Sequence, residues 1–373
     1  MNNVLIVITK GEWGGAQVFV STLAKTLHRQ GHSVTVACGE GDYLRNTLAP
    51  EGISVVRFDH LKRTFNPLVN ILFGWELRTY LKKHSFDVVH FNSSNALFGV
   101  IGARLMHDRP KIVFTVHGLS VVDPNYTGSS LLKTAFRFLF KTLLSLVDEP
   151  VFVNNANFEY AKKIGLFKHG TVIPNGIDTH ALRFLTRIEA RDILAKRIDR
   201  DLANNYVIGS IGRLAYPKNY EFLIETFPDI LDKIPNAIAI IIGEGPERSK
   251  YERMIKARKL SDRIFFIGEL PDASQYIKAF DLFTLLSQYE GMSMTLIEAM
   301  FAEVPILASA VGGTPELLDN GAWTYALDDA KEFIMKLEAI HTEKKLIYTD
   351  AQKNHRSQFE GETMVKNYLK VYG

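Results

Sequence analysis

The 373-residue sequence predicts an α/β protein built of two doubly wound, parallel-sheet domains, and three observations lead there. Short β-rich apolar runs alternate with helical periodicity almost throughout, which is the pattern of βαβ units and a parallel sheet. That alternation starts twice, at "NVLIVIT" and again at "YVIGSIGRL". Between the halves lies "TVIPNGID", residues 171–178, where Pro174 and Asn175-Gly176 punctuate the chain. The length also exceeds one ordinary core and suits two domains.

In chain order, "NVLIVIT" reads as a buried first strand and "AQVFVSTLAKTLHRQG" as the helix behind it. "SVTVACG", "DVVHF" and "KIVFTVHG" follow as strands, with helical "NALFGVIGARLMH" between the last two. The polar stretch 179–205 reads as a helix and connector. In the second half "YVIGSIGRL" leads to helical "NYEFLIETFPDILDKI", then to "AIAIIIGEG", "RIFFIGEL", "LFTLLSQ" and "VPILAS" as strands. The division expected is a domain at 1–175, a second at 176–350, and an amphipathic helix within 351–373 that can cross back to the first domain.

Composition narrows the function. Net charge is +3 and the isoelectric point about 8.7, which suits mild attraction to anionic surfaces and argues against dedicated nucleic-acid binding. Cys38 is the sole cysteine, so a disulfide framework and a cysteine metal site within the chain are both excluded, and a reducing cytoplasm is expected. The first apolar run is too short for a secretory leader and lacks a basic flank. No apolar segment reaches the roughly 18 residues of a membrane span.

Ligands of parallel sheets bind beyond the carboxyl ends of the strands, so those loops hold the candidates. After the first strand, Gly14 and Gly15 could let backbone amides meet a phosphate at a helix start, although a plain tight turn explains them equally well. His117 ends "KIVFTV" and places an imidazole at a strand end. Arg213 and Lys218, five positions apart after "YVIGSI", could neutralise a diphosphate with a guanidinium fork and an ammonium. "QYEGMSMTLIEAM", residues 288–300, reads as a loop turning into a helix at Gly291-Met292-Ser293, with Met294, Ile297 and Met300 packed inward. Glu290 then precedes the helix, Glu298 lies within it, and the first helical amides form an anion cradle between them.

Other patterns carry less. Asp199-Arg200-Asp201 has the form of a metal-binding D-x-D but lies in a polar connector, so a solvated surface is expected there. Gly243 and Gly245 in "GEGPER" lack a third glycine and cannot by themselves support a dinucleotide site. The H-E-x-x-H and G-x-S-x-G patterns are absent, which removes metalloprotease and serine-hydrolase readings.

Taken together, "GGAQ", "TVHG", "VIPNGID", "GRL…K", "GEGP", "EGMSMTLIE" and "VGGTPELL" resemble, in order and over nearly the whole chain, the retaining glycosyltransferases of family 4. These have the GT-B fold, two Rossmann-like domains facing a central cleft. "DVVHFNSSNALFGVIGARL" through "TVHG" is similar to the branch that builds capsule, exopolysaccharide or O-antigen units. The chain departs from the pattern at Glu303, where the family usually has glycine, so local packing there should differ.

The resemblance implies transfer of a sugar from a nucleoside-diphosphate donor, UDP-linked by expectation, to an acceptor hydroxyl with the anomeric configuration kept. Glu298 would bind the ribose hydroxyls, and amides at Gly291, Met292 and Ser293 the diphosphate. Glu290 would face the donor sugar. Arg213 and Lys218 would stabilise charge on the leaving group, so that neither metal nor cofactor is required. His117 would reach the donor sugar from the first, acceptor-binding domain; Gly14 and Gly15 would close over the phosphates. Gly245 and Leu270 would add donor contacts, Leu270 at the nucleobase. Both a same-face mechanism and a covalent intermediate remain open.

Residues 131–146 are mostly apolar, with Lys133, Arg137 and Lys141 on one slowly drifting stripe. An interfacial helix shows this pattern, and so can a core helix. With the basic, aromatic segment 60–83, it favours peripheral contact of the first domain with the membrane and a polyprenyl-diphosphate-linked acceptor at the inner leaflet. A soluble acceptor and a non-catalytic nucleotide-sugar-binding protein are the competing readings. The second would need neither the cations nor the carboxylates retained here.

Overall fold

The computed structural model describes residues 2–64, 66–119, 130–167, 169–319, 323–343 and 350–373. It divides into two compact units, one of Met1–Thr179 with Gln358–Gly373 and one of His180–Ser357. The division thus falls at Thr179, a little beyond the residue 175 expected.

The N-terminal unit runs β1 (Asn3–Ile8), α1 (Gly15–Arg29), β2 (Ser33–Cys38), α2 (Tyr43–Leu48), β3 (Ser54–Arg57), α3 (Pro67–Leu81) and β4 (Val88–Phe91). It continues with α4 (Gly99–Arg104), β5 (Lys111–Val116), α5 (Ser130–Leu144), β6 (Glu149–Phe152), α6 (Asn155–Lys163) and β7 (Thr171–Val172). Its parallel sheet has the order β3-β2-β1-β4-β5-β6-β7. Val4 of β1 registers with Val34 on one side and Val88 on the other. Because both sheet faces are covered, Val4 to Ile8 form an unbroken apolar run that is at most 1% exposed.

In the C-terminal unit come α7 (Arg187–Ile198), β8 (Tyr206–Ile211), α8 (Tyr220–Lys233), β9 (Ala237–Ile242), α9 (Arg248–Ala257) and β10 (Ile264–Phe266). Then follow β11 (Leu282–Leu285), α10 (Met294–Ala302), β12 (Ile306–Ser309), α11 (Thr314–Leu317), β13 (Thr324–Tyr325), α12 (Ala330–Glu343) and α13 (Asp350–Arg356). The sheet order is β10-β9-β8-β11-β12-β13. Its core gathers Ile208, Leu214, Phe227, Ile241 and Leu282 under α8 and α9.

The last helix, α14 (Gly361–Tyr372), belongs to the N-terminal unit. Met364, Val365, Tyr368 and Tyr372 join Val4, Ile6 and Ile8 in the core between the sheet and α1. Two tyrosines key it to the strands: Tyr372 Oη meets His90 Nδ1 at 2.8 Å, and Tyr368 Oη meets Thr115 Oγ1 at 2.8 Å. His90 Nε2 closes the network on Thr115 Oγ1 at 2.7 Å. Burial lowers the His90 pKa to about 3, so the network stays uncharged at neutral pH.

Candidate active site

Each sheet reverses its strand order once, at β1/β4 and at β8/β11, and such switch points open the crevice in which doubly wound sheets bind ligands. In the C-terminal unit the loop after β8 carries Arg213 and Lys218, and the loop after β11 carries Ser287 and Glu290. Lys218 Nζ donates to Glu290 Oε1 at 2.7 Å, and Ser287 Oγ donates to the same oxygen at 2.7 Å. Side-chain exposure is 22% for Lys218 and 14% for Glu290, so the pair is partly withdrawn from water. Arg213 differs. It is exposed, and its guanidinium has no hydrogen bond or ion pair among the described residues.

Glycines let the supporting loops close. A Cβ on Gly245 would meet the Leu214 carbonyl oxygen at 2.2 Å. The two loops are laced there by Leu214 N to Glu244 O at 2.9 Å and Glu247 N to Leu214 O at 3.0 Å. Gly245 therefore serves loop packing as well as any contact it makes to a donor. Gly312, in the left-handed region at φ 53°, lies so close to the Glu290 carbonyl that a Cβ would sit 1.8 Å from it. Sequence reasoning named neither Ser287 nor Gly312, although "VGG" marked the second.

The turn into α10 forms where expected, with Ser293 as its N-cap accepting from Leu296 N. Met294, Ile297 and Met300 are at most 6% exposed. Glu303 ends the helix in the left-handed conformation at φ 58°. Glycine holds that position most cheaply. A β-carbon there costs about 1 kcal/mol, offset in this chain by the bond from Arg356 Nη1 to the Glu303 carboxylate at 3.1 Å.

Glu298 is half-buried, and no hydrogen bond or ion pair holds its carboxyl among the described residues. Burial, with a further push from the Asp272 carboxylate, raises its pKa to about 8. A protonated carboxyl without a partner, on the helix that rises from the Glu290 loop, is ready to meet hydroxyl groups. Leu270 is only 8% exposed and so offers a nucleobase little side-chain surface. Asp199 and Asp201 are exposed as expected, Asp201 accepting from Ala203 N at 2.9 Å.

The Glu298 shift has a measurable sign. Between the ordinary carboxyl value of 4.5 and about 8 the folded protein keeps a proton that the unfolded chain has lost. This group's contribution therefore falls as pH rises through that window and levels off above it. Glu298→Gln should match wild type in stability near pH 4.5 and exceed it by about 4 kcal/mol at pH 8. Denaturant titrations of both proteins across that range check this; a constant difference would refute it.

In the N-terminal unit, Gly14 caps α1 with no side-chain acceptor, and the helix starts at Gly15. His117, at the end of β5, lies edge-on to Phe19 with 4.6 Å between ring centroids. Its Nε2 meets Asn92 Oδ1 at 3.2 Å, while Asn92 Nδ2 donates to the His90 carbonyl at 3.1 Å. The amide is thereby turned with its oxygen toward the imidazole. Burial lowers the His117 pKa to about 4, so the ring is neutral and must donate from Nε2. Nδ1 is left as an acceptor.

Two family models match the chain in sequence, "Glycosyltransferase Family 4" over residues 13–181 and "Glycosyl transferases group 1" over 193–358. The chain belongs to the family 4 glycosyltransferases. This glycosyltransferase is 28% identical over 377 residues to the O-antigen biosynthesis glycosyltransferase WbnH of Escherichia coli, covering 100% of this chain and 98% of that one. It is also 28% identical over 302 residues to the Escherichia coli UDP-Gal:alpha-D-GlcNAc-diphosphoundecaprenol alpha-1,3-galactosyltransferase, covering 78% of this chain and 75% of the other. Among solved structures, HepE of Anabaena in complex with UDP and glucose superposes with a TM-score of 0.83 at 22% identity, over 100% of this chain and 99% of that one. The glycosyltransferase thus has the two Rossmann-like units of the GT-B fold.

Proposed function

We propose that the chain is a retaining, metal-independent glycosyltransferase that moves a sugar from a UDP-linked donor to a hydroxyl of a polyprenyl-diphosphate-linked saccharide. It would act at the inner face of the cytoplasmic membrane in the assembly of a cell-surface polysaccharide such as O-antigen. One observation carries the reading: two cations, Arg213 and Lys218, the Glu290 carboxylate and the Glu298 carboxyl gather at and beside one strand-order switch point.

Arg213 and Lys218 supply positive charge for the departing diphosphate, the task a metal performs elsewhere. Glu298 is suited to the ribose hydroxyls, and the Gly291-Met292-Ser293 turn to the phosphates. Glu290 shares one oxygen between Lys218 and Ser287, which fixes the carboxylate beside a cation and suits it to an electrostatic part in a same-face transfer, where a leaving-phosphate oxygen takes the acceptor proton. Nδ1 of His117 suits a sugar hydroxyl. The donor and acceptor classes are supported by the similarity to the Escherichia coli UDP-Gal:alpha-D-GlcNAc-diphosphoundecaprenol galactosyltransferase, and the polysaccharide by the similarity to the O-antigen enzyme WbnH.

Incubating the protein with α-linked UDP-sugars and a lipid-diphosphate saccharide, and reading the product's anomeric configuration by NMR, tests the proposal. An α-linked product, formed equally well with excess chelator, is expected. A β-linked product would overturn retention, and loss of activity on chelation, restored by magnesium or manganese, would return attention to Asp199 and Asp201.

A further inference from the structure

On α3 the apolar residues lie on two opposite faces. Phe73, Leu77 and Leu81 enter the core and are at most 6% exposed. Leu68, Ile71, Leu72 and Trp75, at i, i+3, i+4 and i+7, form the outer face and are 69%, 51%, 48% and 55% exposed. A helix that is apolar all round is normally covered all round. The stripe also extends sideways. Gly102 of α4 packs so tightly on α3 that a Cβ there would meet the Gly74 carbonyl at 2.1 Å, and beside that contact Ile101 and Leu105 are exposed.

Core residues of α5 share the same sheet face, while its Phe138 and Leu139 point outward at 76% and 44% exposure. Eight of the twelve exposed large apolar side chains among the described residues therefore lie on this one layer. Patches of this kind mark an interaction surface.

The charge that α3 and α5 carry beside it is mainly positive. Arg78 lies over the Trp75 ring at 5.4 Å, and exposed Lys82 continues the Trp75 face one heptad on, with Lys83 beside it. Arg137 and Lys141 are exposed on α5, Arg137 also bonding the Ile164 carbonyl, whereas the Lys133 side chain lies outside the described residues. Neither helix adds an acid except Glu76, which is engaged with His60 and with the backbone of Asp59 and His60.

We propose that the outer face of α3, α4 and α5 docks on an anionic lipid bilayer, with the α3 stripe at the headgroup–acyl boundary and the flanking cations at the phosphates. The proposal rests on the lipid-linked acceptor suggested above, and locates the contact mainly on α3, where the sequence pointed first to α5. A lipid surface is favoured over a second copy of the chain because the same face of a second copy would offer these cations more cations and only one acid per copy on these two helices, the already engaged Glu76, whereas anionic headgroups complement all of them.

Co-sedimentation of the whole protein with phosphatidylcholine vesicles, with and without phosphatidylglycerol, tests this. Binding is expected to the anionic vesicles at low salt and to weaken as salt rises. A variant carrying Leu68→Gln, Leu72→Gln and Trp75→Gln should partition about a hundredfold less, with an unchanged melting temperature. Lys82→Gln with Lys83→Gln should lose about fivefold per charge. The proposal fails if wild type ignores anionic vesicles at low salt, if the stripe variant binds as well as wild type, or if light scattering shows a dimer that the stripe substitutions dissociate. Transfer to a water-soluble acceptor analogue should be equal in wild type and stripe variant. Vesicle binding by a protein inactive in that assay would support the docking surface while counting against the transferase reading, so the two fail separately.

Discussion

Replacing Arg213 by alanine is expected to lower turnover about a hundredfold while leaving the melting temperature unchanged. The side chain is exposed and makes no hydrogen bond or ion pair among the described residues, so the fold gains nothing from its charge. An oppositely charged contact to a developing oxyanion is worth about 3 kcal/mol, all of it in the transition state if the charge appears only as the donor bond breaks. Lys218→Ala should cost a similar factor in rate but also some stability, because it leaves the Glu290 carboxylate with Ser287 alone in a partly dehydrated site. The contrast separates the roles: one cation free for substrate, the other also structural. Steady-state kinetics beside thermal melts would show it, and near-normal turnover in the double variant would remove both from the mechanism.

Tyr368→Ala should destabilise the N-terminal unit by about 4 kcal/mol. The ring is fully buried against Phe19 and His90, and its hydroxyl bonds Thr115. Truncation leaves a cavity between sheet and helix and strips Thr115 of one partner. Tyr368→Phe keeps the ring and should cost only about 1 kcal/mol. Because the residue belongs to one compact unit, denaturant titration of the alanine variant should split into two transitions, the earlier from the N-terminal unit. A loss below about 1 kcal/mol for alanine would mean that α14 is dispensable to that core.

Strands in the middle of each sheet were legible because a parallel sheet covered on both faces demands continuous apolar runs, as in β1 and β9. The flanking strands β3, β7 and β13 are two to four residues long and half-polar or isolated, too short to show a period. At the site, Arg213, Lys218 and Glu290 stood out because their positions after strands are local facts. Ser287 and Gly312 did not, since each matters only through an approach to Glu290 that the fold creates. The packing role of Gly245 was hidden for the same reason, its neighbour being Leu214 across a loop. The outward face of α3 was hidden by its own composition. With apolar residues on both sides, periodicity cannot tell which side is left bare.

The seat of α14 bears on how the protein is made. The helix that fills the space beside α1 is synthesised only after the whole of the C-terminal unit. Chains normally mature from the N-terminus as each domain leaves the ribosome. Here the first unit must wait, with one flank of its sheet bare, while the second completes itself. Released nascent chains that stop within the second unit would carry an unfinished first one and should be preferred clients of chaperones and proteases. A ribosome that finishes the chain delivers both units to completion almost together, which ties the quality control of one to the synthesis of the other.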